Sequence, residues 1–528
     1  MTANTKDAHV WMVGGGIASM AAAVFLIRDV GMAGDHIHIL ETVDVEGGSL
    51  DGGSSPVSAG YVTRGGRMLE EEAYRCLWNL LETIPDHDDP TTSARQAIVD
   101  FNERVTTEAH ARLIDTDHSI LDAAAYGFNL RDRAELTRLL AVPEHALGAR
   151  RIDDMFSDHF FETNFWQMWR TTFAFQNWHS AAELRRYFLR FAQEFSRIHT
   201  LSGVRRTVYN QYDSIVVPLQ EWMAKNGVDV HFGTTATDVD FQGGRRRATK
   251  LYYIEKGEPK TLDLGEDDYL FMTIGSITAD STYANADSVP ELIRDRRDGG
   301  WAFWETIAKK APDFGRPNTF YGDIDESKWE SFTLTMHGRA LLDRLTTYTG
   351  NEPGTGALTT FVDSGWLMSI VIPHQPHFPN MPPDTYTLWG YGLSLDDEGD
   401  YVKKKMSQST GTEILTELIR QLGFDDILDE VLATTDVTTV MMPYASSVFS
   451  RRVPDDRPKV LPDRAENFAF LGQFTELPDD VVFTVEYSVH GAMHAVYQLF
   501  DIEKPIPPIY HGLLDPLVGI KVLESVFK

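Results

Sequence analysis

Apolar and polar positions along the first forty residues predict strand, turn, helix and strand. Residues 9–13 are apolar, Gly14-Gly15-Gly16 follows, residues 17–27 read as a helix of small side chains, and residues 36–40 form a second apolar run that ends at Glu41. That order is a βαβ unit. A second helix is expected from about Arg67, because Leu69, Ala73, Tyr74, Leu77, Leu80 and Leu81 share one face at helical spacing. Residues 156–191 are too dense in Phe, Trp and Tyr for an exposed surface, so they form either buried helix or the wall of an apolar cavity.

Strand patterns return at residues 228–232, at 269–274 before Gly275-Ser276, and at 468–471, which leads into Gly472 and then a helix near the C-terminus. A mixed stretch with proline-rich loops such as 373–383 occupies residues 288–437. The chain shows no internal repeat and no low-complexity tract.

Length and composition narrow the class. At 528 residues the chain exceeds what one core usually supports, so two to four domains are expected. With 42% hydrophobic and 24% charged residues it reads as an ordinary globular protein, and no apolar run approaches the ~18 residues of an integral membrane segment. Residues 1–7 are polar and run straight into a strand, leaving no room for a signal peptide, so a cytoplasmic location is the default expectation. The single cysteine, Cys76, excludes an intramolecular disulfide and any multi-cysteine metal or iron-sulfur centre, and its apolar helix face makes it a core residue. A formal net charge of −30 argues against nucleic acid and against broad electrostatic binding to anionic lipid, leaving room only for transient contact with a membrane surface.

Candidate chemistry begins at the glycine turn. Gly14, Gly16, Ile17, Ala18 and Ser19 fit G-x-G-x-x-[G/A/S] between a strand and a helix. The first glycine permits the tight turn, the second lets a pyrophosphate approach the backbone, and the small third position lets the helix pack on the strand. Glu41, at the end of the next strand, has the place of the acid that binds an adenosine ribose. The motif alone does not separate NAD from FAD. Gly48 and Ser49 in a flexible glycine loop, then Arg64, Gly66 and Arg67, add backbone amides for a flat ring or pyrophosphate and cations for phosphate charge.

At this point the sequence resembles the oleate hydratase family, once labelled myosin-cross-reactive antigens. The matching stretches are GGGIAS, GGSLDG, RGGR running into CLW, NFW, FAFQNWHSAAELRRY, YNQYDS, GSIT, WLMS with HQPHF, RPKVLP and VVFTVEYS, in order from about residue 10 to about residue 490. The resemblance implies hydration of a cis-9 unsaturated fatty acid by a redox-neutral route, in which an acid protonates the alkene and a base delivers water. It implies FAD that is not consumed, with the reduced form the more competent. It also brings Gly275, Ser276, Gly472, Glu476 and Thr484 into the expected flavin contacts.

Tyr187, in RRYFLRF, matches the family tyrosine proposed as proton donor, with Arg185 or Arg186 expected to lower its pKa; without the resemblance it reads as a core tyrosine. The family generally reads Gly-Gly-Arg-Glu, its glutamate serving water activation or flavin placement, whereas here Gly66-Arg67 precedes Met68, which cannot take a proton. On a helix from Arg67, Glu70 falls on the apolar face and Glu71 on the surface near Arg67 and Arg75. Glu70 is therefore either the partial replacement for the missing acid or a solvated first-turn glutamate. For the fatty-acid carboxylate the candidate donors are Thr360, Ser364, His374, Gln375 and His377, although the family's Asp-Ser-Asn-Trp reads Asp363-Ser364-Gly365-Trp366. The two histidines also read as structural, and neither has companions for a convincing metal site.

The expected fold is α/β: a discontinuous Rossmann-like FAD-binding domain in segments 8–130, 206–287 and 438–500, an aromatic helical segment at 131–205 lining the substrate cavity, a mixed α/β substrate insert at 288–437, and a C-terminal segment at 501–528. Family members often carry an N-terminal helical extension used in dimers, whereas this chain starts about eight residues before its first strand, so a monomer is expected. The competing functions are a flavin-dependent redox enzyme or isomerase acting on fatty acids, and a flavin- or lipid-binding protein with little catalysis.

Overall fold

A computed structural model describes residues 7–66, 68–242 and 246–527. Its first layer is a five-stranded parallel sheet in the order Phe468–Leu471, Tyr269–Thr273, Val10–Val13, Ile37–Leu40, Asp229–His231. Val10 pairs with Tyr269 on one side and Ile37 on the other, so strands far apart in sequence lie in register. Most side chains of the three central strands are buried, which is why they read as short continuous apolar runs. Helices Ile17–Phe25 and Val485–Leu499 pack together against this sheet. A three-stranded antiparallel sheet, Thr234–Gln242, Arg247–Glu255 and Glu258–Asp263, supports helix Gly299–Ala308.

The second large layer is a seven-stranded sheet built around Trp329–His337, with Thr435–Met442 and Thr385–Gly392 on either side. Its edges come from outside residues 288–437: Thr282–Ala284 closes one and Leu113–Ile114 the other. One face is covered by helices Ala340–Thr349 and Gly411–Gln421 through Leu341, Leu345, Ile414 and Leu418. The opposite face carries Trp329, Trp389 and Tyr391, stacked on one another at centroid distances of 4.8–5.2 Å between neighbours, beneath the hairpin Gly52–Ser54 and Tyr61–Thr63.

The aromatic stretch forms helices Asp158–Glu162, Asn164–Phe173 and Ala181–Arg190, and its rings interlock as core. The helix expected from Arg67 starts instead at Arg75. Leu69–Glu70 is a short strand paired with Val204–Arg205, and a turn closed by Tyr74 N–H donating to Glu70 O (2.9 Å) leads into Arg75–Leu81. Apolar residues at helical spacing can also be buried by a strand and a turn, and here the long-range pairing prevails over the local pattern.

Candidate functional site

The carboxyl ends of the parallel strands open into a cleft of about 560 Å³. Gly14 takes a φ of 86°, and the turn brings Gly15 N–H to 2.6 Å from Glu41 Oε2. Opposite it Gly48, at φ 58°, approaches so closely that a Cβ there would lie 3.3 Å from Gly16 Cα. Two glycine turns thus face each other and leave a gap lined by backbone. Helix Ile17–Phe25 begins at Gly16 with no side-chain cap, so its first amides remain available to an anion. Arg64 donates to Gly48 O (2.8 Å) and to Asp51, which sets one guanidinium on the cleft wall. Burial raises the Glu41 carboxyl, against the pull of the Val43 and Gly15 amides. Close backbone approach, uncapped amides, a cation and a terminal acid together fit a pyrophosphate-bearing dinucleotide.

Most of the expected cofactor residues line this cleft; Ser19, Gly66, Glu476 and Thr484 do not, and Arg67 lies outside the described residues. Ser19 is buried with Oγ 3.5 Å from Thr273 Oγ1. Glu476 is held by Arg186 (2.6 Å), and Thr484 caps helix Val485–Leu499 by accepting from Tyr487 N–H. Sequence reading missed Asp298, Gly299 and Gly300, where Asp298 caps helix Gly299–Ala308 by accepting from Gly300 N–H (2.9 Å). Burial and neighbouring Asp280 push that carboxyl up to about 6. The signal was present as Asp-Gly-Gly before an apolar helical run.

Tyr187 lies in helix Ala181–Arg190, started by Ser180, which accepts from Glu183 N–H. The phenol is buried among Phe173, Phe175, Phe191 and Phe449 and donates to Val482 O. Arg185 and Arg186 do not lower its pKa. Arg186 is forked onto Glu144 at 2.7 Å and bound to Glu476, and Arg185 donates to Leu140 O. Burial instead raises the phenol well above its usual range, with Tyr74 and Glu183 adding to the rise and Arg457 opposing it. Val482 belongs to a segment that serves several partners. Asp480 holds Arg190 (3.2 Å) and His490 (2.8 Å), Glu486 accepts from Cys76 N–H and Leu77 N–H (3.0 and 2.7 Å), and Ser488 reaches the cleft.

A sequence model of the MCRA family matches residues 7–497. The chain belongs to the MCRA family. An oleate hydratase from Streptococcus pyogenes serotype M49 (strain NZ131) is 38% identical over 522 residues, covering 97% of this chain and 88% of that protein. A linoleate hydratase from Lactiplantibacillus plantarum is 36% identical over 532 residues, covering 92% of each. Among solved structures, an oxidoreductase from Methanosarcina mazei (TM-score 0.50, 92% of this chain and 99% of that one) and putrescine oxidase bound to putrescine (TM-score 0.52, 94% and 99%) share the architecture at 10% identity. That likeness carries the fold alone.

Within this MCRA chain Met68 packs partly buried against the core. Glu70 is buried, but beside Glu194 and Arg197 (3.6 Å) rather than in the cleft. Burial and the Glu194 charge raise its carboxyl well above the usual range, and burial raises the Glu194 carboxyl as well, against the pull of Arg197. Glu71 pairs with Arg205 at 2.8 Å, not with Arg75.

The five expected carboxylate donors do not line the cleft, and most are already engaged. Thr360 Oγ1 bonds Thr171 Oγ1 (3.0 Å) and Ser369 Oγ (2.9 Å), and Gln375 clamps Thr387 through both its N–H and its carbonyl. His374 Nδ1 lies 3.2 Å from Val208 O, and burial pushes the His377 imidazole down to about 3. Ser364 Oγ is buried without a hydrogen-bond partner. Gly365, where the family has Asn, is required by packing: a Cβ there would lie 2.1 Å from Glu398 O. Sequence reading also missed three buried polar atoms on the inner face of the second sheet, Trp329 Nε1, Ser331 Oγ and Trp389 Nε1, which have no partner. The only signal was the alternation of polar and aromatic residues in two strands.

Proposed function

We propose that this chain adds water across the cis-9 double bond of unsaturated long-chain fatty acids such as oleate, giving 10-hydroxy fatty acids with no net redox change and with FAD in the cleft. The observation that carries this reading is the near-full-length match to two proteins named as hydratases. The Gly14–Gly16 turn and the amides of Ile17 and Ala18 would hold the pyrophosphate and Glu41 the ribose, and Arg64 would offset phosphate charge. When bound, FAD supplies a flat, polarisable surface beside the double bond and is not consumed.

Tyr187 is the proton donor. Burial keeps its phenol neutral and Val482 O orients the hydroxyl; as the phenol proton passes to one alkene carbon, water adds to the other and gives its proton to the carboxylate pair, from which a proton returns to the phenolate to close the cycle. The Glu70–Glu194 pair activates water, since a carboxylate whose proton affinity burial has raised is the stronger base. Glu70→Gln should lower hydration by orders of magnitude while flavin stays bound; near-normal turnover removes Glu70 from the mechanism. The fatty acid lies against the inner face of the second sheet. There Ser331, Trp329 and Trp389 carry buried donors that cost about 1–3 kcal/mol each while unsatisfied, and Ser364 adds another.

Among the described residues, no helix is long and apolar enough to cross a membrane. Helix Pro516–Phe527 exposes Leu517, Ile520 and Leu523, which supports transient contact with a membrane surface. The buried lone thiol of Cys76 accords with a cytoplasmic setting. The protein acts as a monomer, and a light-scattering mass near twice that of the chain overturns this.

Incubating purified protein with oleate, FAD and a reductant in heavy-oxygen water should yield a hydroxy acid carrying solvent oxygen. Oxygen drawn from O₂, or a product two hydrogens lighter, points to redox chemistry. Met68 in place of the family glutamate favours the remaining reading, a flavin- or lipid-binding protein, which tight oleate binding without product would establish.

A further inference from the structure

At the edge of the five-stranded sheet, away from the cleft's lining, two imidazoles converge on one carboxylate oxygen. His38 pairs with Asp229 across neighbouring strands, and His231 stands two residues beyond Asp229 on the same strand face. His38 Nδ1 lies 3.3 Å and His231 Nε2 2.9 Å from Asp229 Oδ2, and the three ligand atoms all fall within 4.8 Å of one another. The His231 contact is not a hydrogen bond: Nε2 is buried and has no hydrogen-bond partner despite its closeness to the oxygen.

The opposite ring nitrogens explain this orientation. His38 Nε2 lies 2.9 Å from His9 Nδ1, and Glu255 Oε1 is 3.7 Å from His231 Nδ1. In the tautomers that carry the proton on those outer nitrogens, the inner nitrogens present lone pairs to the carboxylate, whereas in the other His38 tautomer Nδ1–H donates to Asp229 Oδ2. Lone pairs facing an anion repel unless a cation sits between them. Trp11 stacks on His38 (4.0 Å) and His36 on His9 (4.4 Å), so the rings are held in place before any ion arrives. With metal–nitrogen and metal–oxygen bonds of about 2.0–2.2 Å, neighbouring ligands of a tetrahedral ion lie about 3.3–3.5 Å apart; the two nitrogen–oxygen separations here are 3.3 and 2.9 Å and the three atoms lie within 4.8 Å, so small side-chain adjustments bring all three onto one ion.

We propose that His38, Asp229 and His231 form a site for one divalent transition metal of the zinc class, with His9 and Glu255 as positioning residues. Two imidazoles and one carboxylate suit Zn²⁺ and exclude Mg²⁺ and Ca²⁺, which need oxygen shells. Three protein ligands leave a fourth position open to water. The ion ties the edge strand Asp229–His231 to Ile37–Leu40, and His231 O already accepts from Glu41 N–H at 2.9 Å. The site is independent of the hydratase reading.

The test titrates Zn²⁺, and separately Mg²⁺, into the flavin-loaded full chain carrying no polyhistidine tag, with calorimetry and elemental analysis after gel filtration. About one Zn²⁺ per chain is expected, with no Mg²⁺ uptake. His38→Ala and His231→Ala should each weaken Zn²⁺ by about a hundredfold, and His9→Ala by about tenfold. His87→Ala, whose imidazole pairs with Glu221 elsewhere, should leave it unchanged. Unchanged flavin spectra confirm that the variants fold. Zn²⁺ held equally by the His38→Ala/His231→Ala double variant, or absent from the wild-type protein, overturns the proposal.

Discussion

The cofactor cleft and the chamber around Tyr187 meet at one segment, residues 480–488, yet they are built in opposite ways. The cleft is made of backbone. Gly14, Gly16 and Gly48 keep side chains out of a gap that helix amides and one arginine border. The chamber is made of side chains: aromatic rings surround Tyr187, and next to it buried Glu183 holds buried Arg452 (2.7 Å) and Arg457 (2.9 Å) while buried Arg186 holds the partly exposed Glu144 and Glu476. With the roles proposed for Tyr187 and the glycine turns, the contrast separates binding from chemistry. A cleft of fixed amides suits a ligand that stays, whereas a dry chamber braced by paired ions suits a proton transfer that water would short-circuit.

The sharpest way to divide the two regions is Tyr187→Phe. It should lower hydration by about 10²–10⁴-fold while flavin content stays unchanged, measured by product formation alongside flavin absorbance. Loss of flavin would show that the regions are not separable.

Glu183→Gln attacks the chamber's frame. Breaking a buried ion cluster by removing one charge costs about 3–5 kcal/mol, so the denaturation midpoint should fall well below the wild-type value. An unchanged midpoint would mean that the cluster is neutral to stability.

Glu486 joins the two regions and predicts a pH slope. Burial, chiefly, and Asp480 push its carboxyl up to about 7 in the folded protein, above the unfolded value of 4.5. Between those limits the folded state holds a proton that the unfolded state has lost, so this group's contribution falls as pH rises, by about 1.4 kcal/mol per unit. It is fully present below about 4.5 and gone above about 7. Denaturation at several pH values should show this slope in the wild-type protein relative to Glu486→Gln; parallel curves would remove Glu486 as its source.

Gly48→Ala tests the cleft most gently. A left-handed φ costs a non-glycine residue about 1–2 kcal/mol, and the added Cβ crowds Gly16. Flavin affinity, read by fluorescence titration, should weaken about tenfold and folding stability should fall by about 1–2 kcal/mol, whereas wild-type affinity would show that the turns need not face each other so closely.

The two regions were also unequally legible. Gly14, Gly16, Glu41 and Gly48 were readable because a turn, a helix start and a strand end are local events with characteristic residue types. The partners of Tyr187 were not. Arg186 sits beside it in sequence but turns to Glu144 and Glu476, and the charge nearest in effect that opposes its pKa rise, Arg457, is 270 residues away in the chain. Glu70 shows the same limit. Helical spacing placed it correctly on a buried face, but it is a strand residue whose neighbour Glu194 no spacing rule connects to it.

Sequence alone therefore determined the α/β class, the glycine turn with its acid, the burial of the aromatic stretch and, through ordered motifs, the family. Tertiary structure decided which side chains share a charge, which donors remain unpaired on the second sheet, and why Gly365 must be glycine. The physical reason is range. Backbone conformation and apolar periodicity are set within a few residues, whereas electrostatic partners and packing clashes depend on strands and helices that meet only when the chain is folded.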